Sequence, residues 1–103
     1  MQCLDDHHHY QLAAFENVAA FQELFFIKKE PTADNDGALR TVHDGTTNEE
    51  VLKMLVHRLN GLQAKFPCRE NAIAITHIET ALLWLEKRTA DRKARGVEGK
   101  QLK

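Results

Sequence analysis

Three arginines, Arg88, Arg92 and Arg95, follow an apolar stretch near the end of the chain at spacings of four and three residues. In an α-helix, residues so spaced are neighbours on one face, and like charges placed side by side repel each other. Planar guanidinium groups are suited to binding phosphate oxygens. The cluster is therefore a candidate anion site; the alternative is a set of solvated charges that stabilise the helix dipole.

The same helical face adds an aromatic ring and an imidazole to the cluster. At 100° per residue, His77, Trp84, Arg92 and Arg95 all fall within about 40° of Arg88. Trp84 offers a flat ring that can stack on a base or an arginine. This combination is typical of nucleotide recognition, although Trp84 would equally suit a core or an interface, and His77 would suit a packed or exposed position.

Two helices are predicted to carry and position these side chains. Thr47 and Glu50 form a capping-box pattern at the start of the first helix, over residues 46–65. Pro67 suits the first turn of the second helix, over residues 68–95, and Gly96 suits its end. Both helices carry apolar stripes at spacings of three, four and three residues, Leu52, Leu55, Leu59 and Leu62 on the first and Ile75, Ile78, Leu82 and Leu85 on the second.

Matched stripes and a short loop predict an antiparallel helical hairpin. The second helix would be about 40 Å long and the first about 25 Å, so the arginine end of the second would outrun its partner. A hairpin of this size on a small sheet buries little apolar surface. We therefore expect a homo-oligomer in which another subunit packs beside the overhang.

The N-terminal half predicts a small antiparallel β element. Residues 1–9 are expected to be disordered or extended, and residues 10–45 to form two or three strands. "FQELFFIKK" is interpreted as one strand and Leu39 to His43 as another, joined by a turn at Asn35-Asp36-Gly37. The alanines between residues 13 and 20 would also permit a helix. The expected fold is a single α+β domain over residues 1–103, with a tail at 96–103.

Composition narrows the function classes. The net charge is −1, but residues 1–50 carry seven net negative charges and residues 51–103 six net positive ones. This balance suits a small anionic ligand better than long nucleic acid. No apolar run is long enough to span a membrane. The acidic, polar N-terminus is unlike a secretory signal, and two cysteines make no disulfide framework, so we expect an intracellular protein.

Catalytic and metal-binding patterns are poor. The sequence has no Gly-rich phosphate loop, HExxH or nucleophile elbow, so no catalytic residue and no cofactor are predicted. Cys68 at a helix N-terminus remains a minor candidate nucleophile, without a histidine base near it in sequence. His7-His8-His9 and Cys3 would suit a metal or be a tag-like remnant, but no second ligand motif completes a site, and no metal is predicted.

Residues 45–99 resemble a known family, the phage-encoded sponges that sequester the immune nucleotides of Thoeris and CBASS defence. The most specific pieces are "CREN", the "AIxxIExALxWL" helix and "RTxDRxARGVEG". Family members often have Lys in place of His77 and a second Glu in place of Thr80. The resemblance implies a small N-terminal β element followed by a helical hairpin.

The resemblance also implies a function. Such sponges bind cyclic ADP-ribose isomers and cyclic di- and trinucleotides without cleaving them, inside the infected bacterial host cytoplasm, and they assemble as dimers or hexamers with ligands between subunits. The implied contacts are Arg88 and Arg92 to phosphates and Asn71 to the ligand. The weaker implied sites are Arg69, Thr89 and Arg40.

In the family, an aromatic residue in the hairpin loop stacks on a base. The loop of this chain is one residue shorter, so Leu62 or Phe66 would take that place, and Phe66 is preferred because only it can stack. The leading hypothesis is a non-catalytic nucleotide sponge. The alternatives are a small phage adaptor whose basic face docks an acidic protein or nucleic acid, and an enzyme that hydrolyses the messenger.

Overall fold

The protein, seen here in a computed structural model that describes residues 1–33 and 37–96, contains five strands and two helices in that part of the chain. The elements in chain order are β1 (Gln2–Asp5), β2 (His9–Ala13), β3 (Phe21–Phe25), β4 (Lys28–Pro31), β5 (Leu39–His43), α1 (Asn48–Lys65) and α2 (Arg69–Ala94). The predicted α+β class, a β element followed by a helical hairpin, is confirmed. No helix among the described residues is long and apolar enough to cross a membrane.

The chain divides into two compact units, one ending at Thr47 and the other beginning at Asn48. The prediction of one domain over residues 1–103 stays a prediction. Residues 1–9, expected to be disordered or extended, contain β1 and a tight turn in which His8 N–H donates to the Asp5 carbonyl at 2.6 Å. Residues 1–33 and 37–96, which include this histidine tract, contain no group of three or more potential metal ligands that lie close together.

The N-terminal unit has two small antiparallel sheets, so the expectation of two or three strands was too low. One sheet has the order β1-β2-β3, and the other pairs β4 with β5. The strand predicted from Leu39 to His43 is present as β5. Asn35 and Asp36 of the predicted turn lie outside the described residues, while Gly37 has the positive φ of 84° that such a turn requires. The segment between residues 13 and 20 forms a bend and turn, not a helix.

The stretch "FQELFFIKK" forms two strands, so its interpretation as one strand was wrong. Between β3 and β4, the Ile27 N–H donates to the Thr46 carbonyl and the Thr46 N–H donates to the Phe25 carbonyl, both at 2.9 Å. These bonds form a parallel bridge between Phe26 and Thr46 and interrupt the antiparallel pairing. A periodic apolar run contains no signal for a bridge to a residue twenty positions away.

Stacked rings and one ion pair hold the N-terminal unit together. Phe25 of β3 stacks on His9 of β2, with ring centroids 4.0 Å apart, and on His43 of β5 at 5.1 Å. Lys28 donates to the Asp5 carboxylate at 3.1 Å, and this hydrogen bond raises the pKa of the lysine. The His9–Phe25 stack lies within the β1-β2-β3 sheet, whereas the Phe25–His43 stack and the Lys28–Asp5 pair join the two sheets of the unit.

The helical unit has very little core. The predicted stripes of α1 and α2 are half-buried, apart from the exposed Leu62, but among the described residues only Ile75 is a buried apolar side chain, at 8% exposure. The α2 helix ends at Ala94, and Gly96 follows with a φ of 71°, as predicted for its stop. Residues 97–103 of the predicted tail lie outside the described part of the chain.

The two helices differ in length, as expected. The 26 residues of α2 span about 39 Å and the 18 of α1 about 27 Å. Glu49 in the first turn of α1 nevertheless lines a shallow groove with Thr89 and Ala90 of α2. Lys93 lines the same groove, so α1 reaches almost to the end of α2 and the overhang is short.

Gly45 tests the bridge between Phe26 and Thr46. A Cβ at Gly45 would lie 2.6 Å from the Phe25 carbonyl oxygen and 2.7 Å from the Phe26 carbonyl carbon, so Gly45→Ala must displace backbone. We expect a loss of about 1–3 kcal/mol in the free energy of unfolding, measured by urea denaturation.

Gly61→Ala is the matched control for that change. It lies inside α1, and nothing stands within 4 Å of the added methyl group, so it should stabilise the protein by about 1 kcal/mol. Equal effects of the two substitutions would contradict the close approach at Gly45.

Candidate functional site

A cationic groove lies along the end of α2. It is about 330 Å³ in volume and is lined by Trp84, Lys87, Arg88, Asp91, Arg92 and Arg95. All six residues belong to α2 or its C-cap, so their spacing on a single helix brings them together. The groove holds four cationic side chains and one carboxylate.

The predicted arginine cluster and Trp84 thus lie in one groove. Arg88 and Arg95 are exposed, and Trp84 keeps 65% of its surface exposed, so its ring is available to a ligand. His77, placed on the same face by helical geometry, does not line this groove. Trp84 is the only tryptophan of the chain.

Arg92 differs from the other groove arginines because it is buried, with 9% exposure. It lies seven residues after Leu85, so it continues the apolar stripe that α2 turns towards α1. The aliphatic stem of an arginine can pack along such a stripe while its guanidinium group stays at the edge. Arg92 therefore has a fixed position, whereas Arg88 and Arg95 are free to adapt to a ligand.

Lys87 and Asp91 also line the groove, and the sequence analysis missed both. Lys87 donates to the Asp91 carboxylate at 2.8 Å across one helical turn. Their spacing of four residues, on the flank of the arginine face, was the available signal. Asp91 offsets one of the four positive charges, which lowers the repulsion that this clustering creates. The C-terminal helix dipole offsets part of the repulsion by stabilising the groove cations at the helix end, Arg92 and Arg95, by about 0.3–1 kcal/mol each.

Asn71 and Arg69 lie at the opposite end of α2 from the groove. Asn71 is half-buried in the first turn, and Arg69 is the exposed first residue. Seventeen residues separate Asn71 from Arg88, which corresponds to about 25 Å along the helix axis. A single hairpin therefore does not bring Asn71 and the groove arginines to one small ligand.

The loop between the helices presents Phe66 with 81% of its surface exposed. Leu62, the other residue considered for the stacking position, lies in α1 and is 39% exposed. Phe66 is close to Asn71 in sequence and lies at the same end of the hairpin. The structure thus offers an aromatic ring at one end of α2 and the cationic groove at the other.

Thr89 and Arg40 are not among the residues that line the cationic groove. Thr89 lines the separate, shallow groove with Glu49, where acidic and basic side chains alternate. Arg40 lies on β5 in the N-terminal unit and pairs with Glu30, its cross-strand partner on β4, at 3.7 Å. Neither residue joins the cationic groove within the helical unit.

Residues 27–90 match the Acb2/Tad1 hairpin-domain family. The chain is also similar to Thoeris anti-defense 1 of Bacillus phage SBSphiJ7, with 45% identity over 84 aligned residues that cover 70% of this chain. The chain spans 59% of the length of that relative, less than two thirds of it.

The groove yields a direct prediction about anion binding. Inorganic pyrophosphate should change the emission of Trp84 saturably, because the ring lines the groove beside its cations. Arg88→Ala with Arg95→Ala should weaken this binding about 10-fold or more, the usual loss for charge-assisted hydrogen bonds.

Lys53→Ala with Arg58→Ala removes the same charge from α1, outside the groove. This control should leave the emission titration nearly unchanged. An equal loss in both double variants would mean that net charge alone attracts the anion.

Proposed function

The chain belongs to the Acb2/Tad1 hairpin family, and from that premise we propose that it is a phage anti-defence protein that sequesters immune signalling nucleotides. Its ligands are cyclic ADP-ribose isomers and cyclic di- and trinucleotides, held in the cytoplasm of the infected host so that Thoeris or CBASS effectors are not activated. The observation that carries the proposal is the cationic groove with its exposed tryptophan.

The groove suits a ligand with phosphates and a planar base. Arg88 and Arg92 bind phosphate oxygens as planar forks, and Arg95 supports them from the C-cap. The ring of Trp84 stacks on a base or a ribose face. The groove is too short to follow a long nucleic acid, since its four cations lie within the last three turns of one helix.

The protein holds its ligand without chemistry. None of the residues that line the groove forms a catalytic pair of a nucleophile with a general base. Asp91 already accepts a hydrogen bond from Lys87. Arginines bind phosphodiester oxygens but cannot act as a general base for water, because they stay protonated in proteins. The role proposed for this chain is therefore binding and sequestration, not catalysis.

The separation of Asn71 from Arg88 favours a site shared between subunits. Two α2 helices that pack antiparallel across a two-fold axis bring the Asn71 end of one against the Arg88 end of the other. The helical unit also leaves large apolar side chains exposed, which another subunit would cover. They include Met54, Ile73 and Leu83. The minimal functional assembly is thus a dimer, which a hexamer would repeat.

Calorimetry against a panel of cyclic ADP-ribose isomers and cyclic di- and trinucleotides tests the ligand class. At least one should bind saturably, and Arg88→Ala with Arg92→Ala should abolish binding by removing two charge-assisted contacts. Because Arg92 is buried, folding of that variant is checked by circular dichroism, and Arg88→Ala with Arg95→Ala serves as a second variant.

A titration with duplex DNA tests the competing adaptor hypothesis. A steep decrease of affinity with salt, together with no binding to any cyclic nucleotide, would favour the adaptor and contradict the proposed sponge.

Mixed oligomers test the shared site. Chains with Asn71→Ala and chains with Arg88→Ala plus Arg95→Ala should each bind poorly on their own. A dimer that combines one chain of each kind, isolated with two affinity tags, should regain one intact site of wild-type affinity per dimer. Mixed dimers that bind no better than their parents would place the whole site within one chain.

A further inference from the structure

The loop between α1 and α2 is closed by a side chain that binds the main chain at two points. The Nε2 group of Gln63 donates to the Cys68 carbonyl oxygen at 2.9 Å, and its Oε1 accepts from the Cys68 N–H at 3.0 Å. Gln63 is half-buried near the end of α1, and Cys68 is the N-cap of α2. One amide thus satisfies both polar groups of the residue at which the second helix begins.

The rest of the loop is restricted as well. Pro67 fixes its own φ, and the residue before a proline is confined to extended conformations. The Phe66 N–H donates to the Leu62 carbonyl at 2.9 Å, which extends the helical pattern by one bond. The side chain of Cys68 makes no capping bond, so the two bonds from the Gln63 amide are the side-chain hydrogen bonds that hold the main chain at this residue. Each of the three loop residues is therefore restrained, by a different cause.

A restrained loop with an exposed aromatic ring is an unusual combination. Phe66 leaves 81% of its surface in water, although apolar rings gain free energy by burial. Nothing in the packing of the hairpin requires a phenylalanine there. A ring held in this way provides a flat surface on which a planar partner can stack without first ordering the loop.

We propose that Gln63 is a positioning residue for nucleotide binding, which holds the loop so that the Phe66 ring is ready to stack on the base of the ligand. This inference rests on the proposed function, and it adds the Phe66 ring, at the Asn71 end of the shared site, to the stacking proposed for Trp84. Gln63 does not touch the ligand, and its effect passes through Phe66 alone.

The advantage of the Gln63 amide is preorganisation. Without its two hydrogen bonds, the Cys68 end of the loop samples other conformations, and the ligand must then order Phe66 as it binds. Ordering one side chain and its backbone weakens an affinity by about 3- to 10-fold. The effect disappears when Phe66 itself is removed, because nothing remains to be ordered.

A double-mutant cycle tests this coupling by calorimetry with the tightest cyclic nucleotide of the panel. Gln63→Met keeps the length and helix propensity of the side chain but loses both bonds. It should weaken binding about 3- to 10-fold when Phe66 is present and leave it unchanged in a Phe66→Ala background. Gln63→Glu keeps the acceptor for the Cys68 N–H but places a carboxylate oxygen against the Cys68 carbonyl oxygen, so its loss should be at least as large as that of Gln63→Met.

Equal losses in the two backgrounds, or no loss in either, would overturn the positioning role. Amide hydrogen exchange at Cys68 in the ligand-free protein is a separate readout, expected to be slow in the wild type and fast in Gln63→Met. Fast amide exchange at Cys68 in the wild type would overturn the inference, whether or not a nucleotide binds. Slow exchange in a protein that binds no cyclic nucleotide would instead refute the proposed function, and with it the binding role of Gln63.

Discussion

The helical unit depends on one seam, the row of apolar contacts between the stripes of α1 and α2. This seam buries too little apolar surface to form a complete core. Its leucines and isoleucines are half-buried, and Ile75 is the single apolar side chain below 9% exposure in the described residues. The seam fixes the antiparallel pairing of the helices, so it decides that the loop lies at one end and the cationic groove at the other. It also leaves apolar side chains on the outer faces, which is why a shared assembly is proposed.

The clustered positive charge at the end of α2 is the second constraint on the helical unit, after the apolar seam. The groove cations lie beside each other on α2, and Asp91 is the one carboxylate among the residues that line the groove. The seam continues into Arg92, so one guanidinium is held by packing while Arg88 and Arg95 remain adaptable. Such an end is stabilised by any bound anion that offsets the repulsion. Binding without chemistry is the simplest use of this arrangement.

Periodicity predicted the helical hairpin well because both helices carry long, regular stripes and clear end signals in Thr47 and Gly96. Pro67, predicted for the first turn of α2, instead precedes the N-cap residue Cys68. It predicted the β half less well. The bridge between Phe26 and Thr46, which breaks one apolar run into β3 and β4, depends on the absence of a side chain at Gly45. The arginine face could be derived from spacing, whereas Lys87 and Asp91 lie on the flank of that face, more than 40° from Arg88, and so fell outside it. The two hydrogen bonds of Gln63 connect its side chain to the main chain of Cys68, and no sequence pattern predicts such bonds.

The proposed function requires that the protein binds the messenger and holds it intact. The direct measurement is to incubate the protein with each cyclic ADP-ribose isomer, remove unbound nucleotide by gel filtration, denature the complex by heat and identify the released species by mass spectrometry. The account predicts that the unchanged cyclic nucleotide co-elutes with the protein and is recovered in a stoichiometric amount. Recovery of a linear or hydrolysed product, or elution of the protein free of nucleotide, would contradict it.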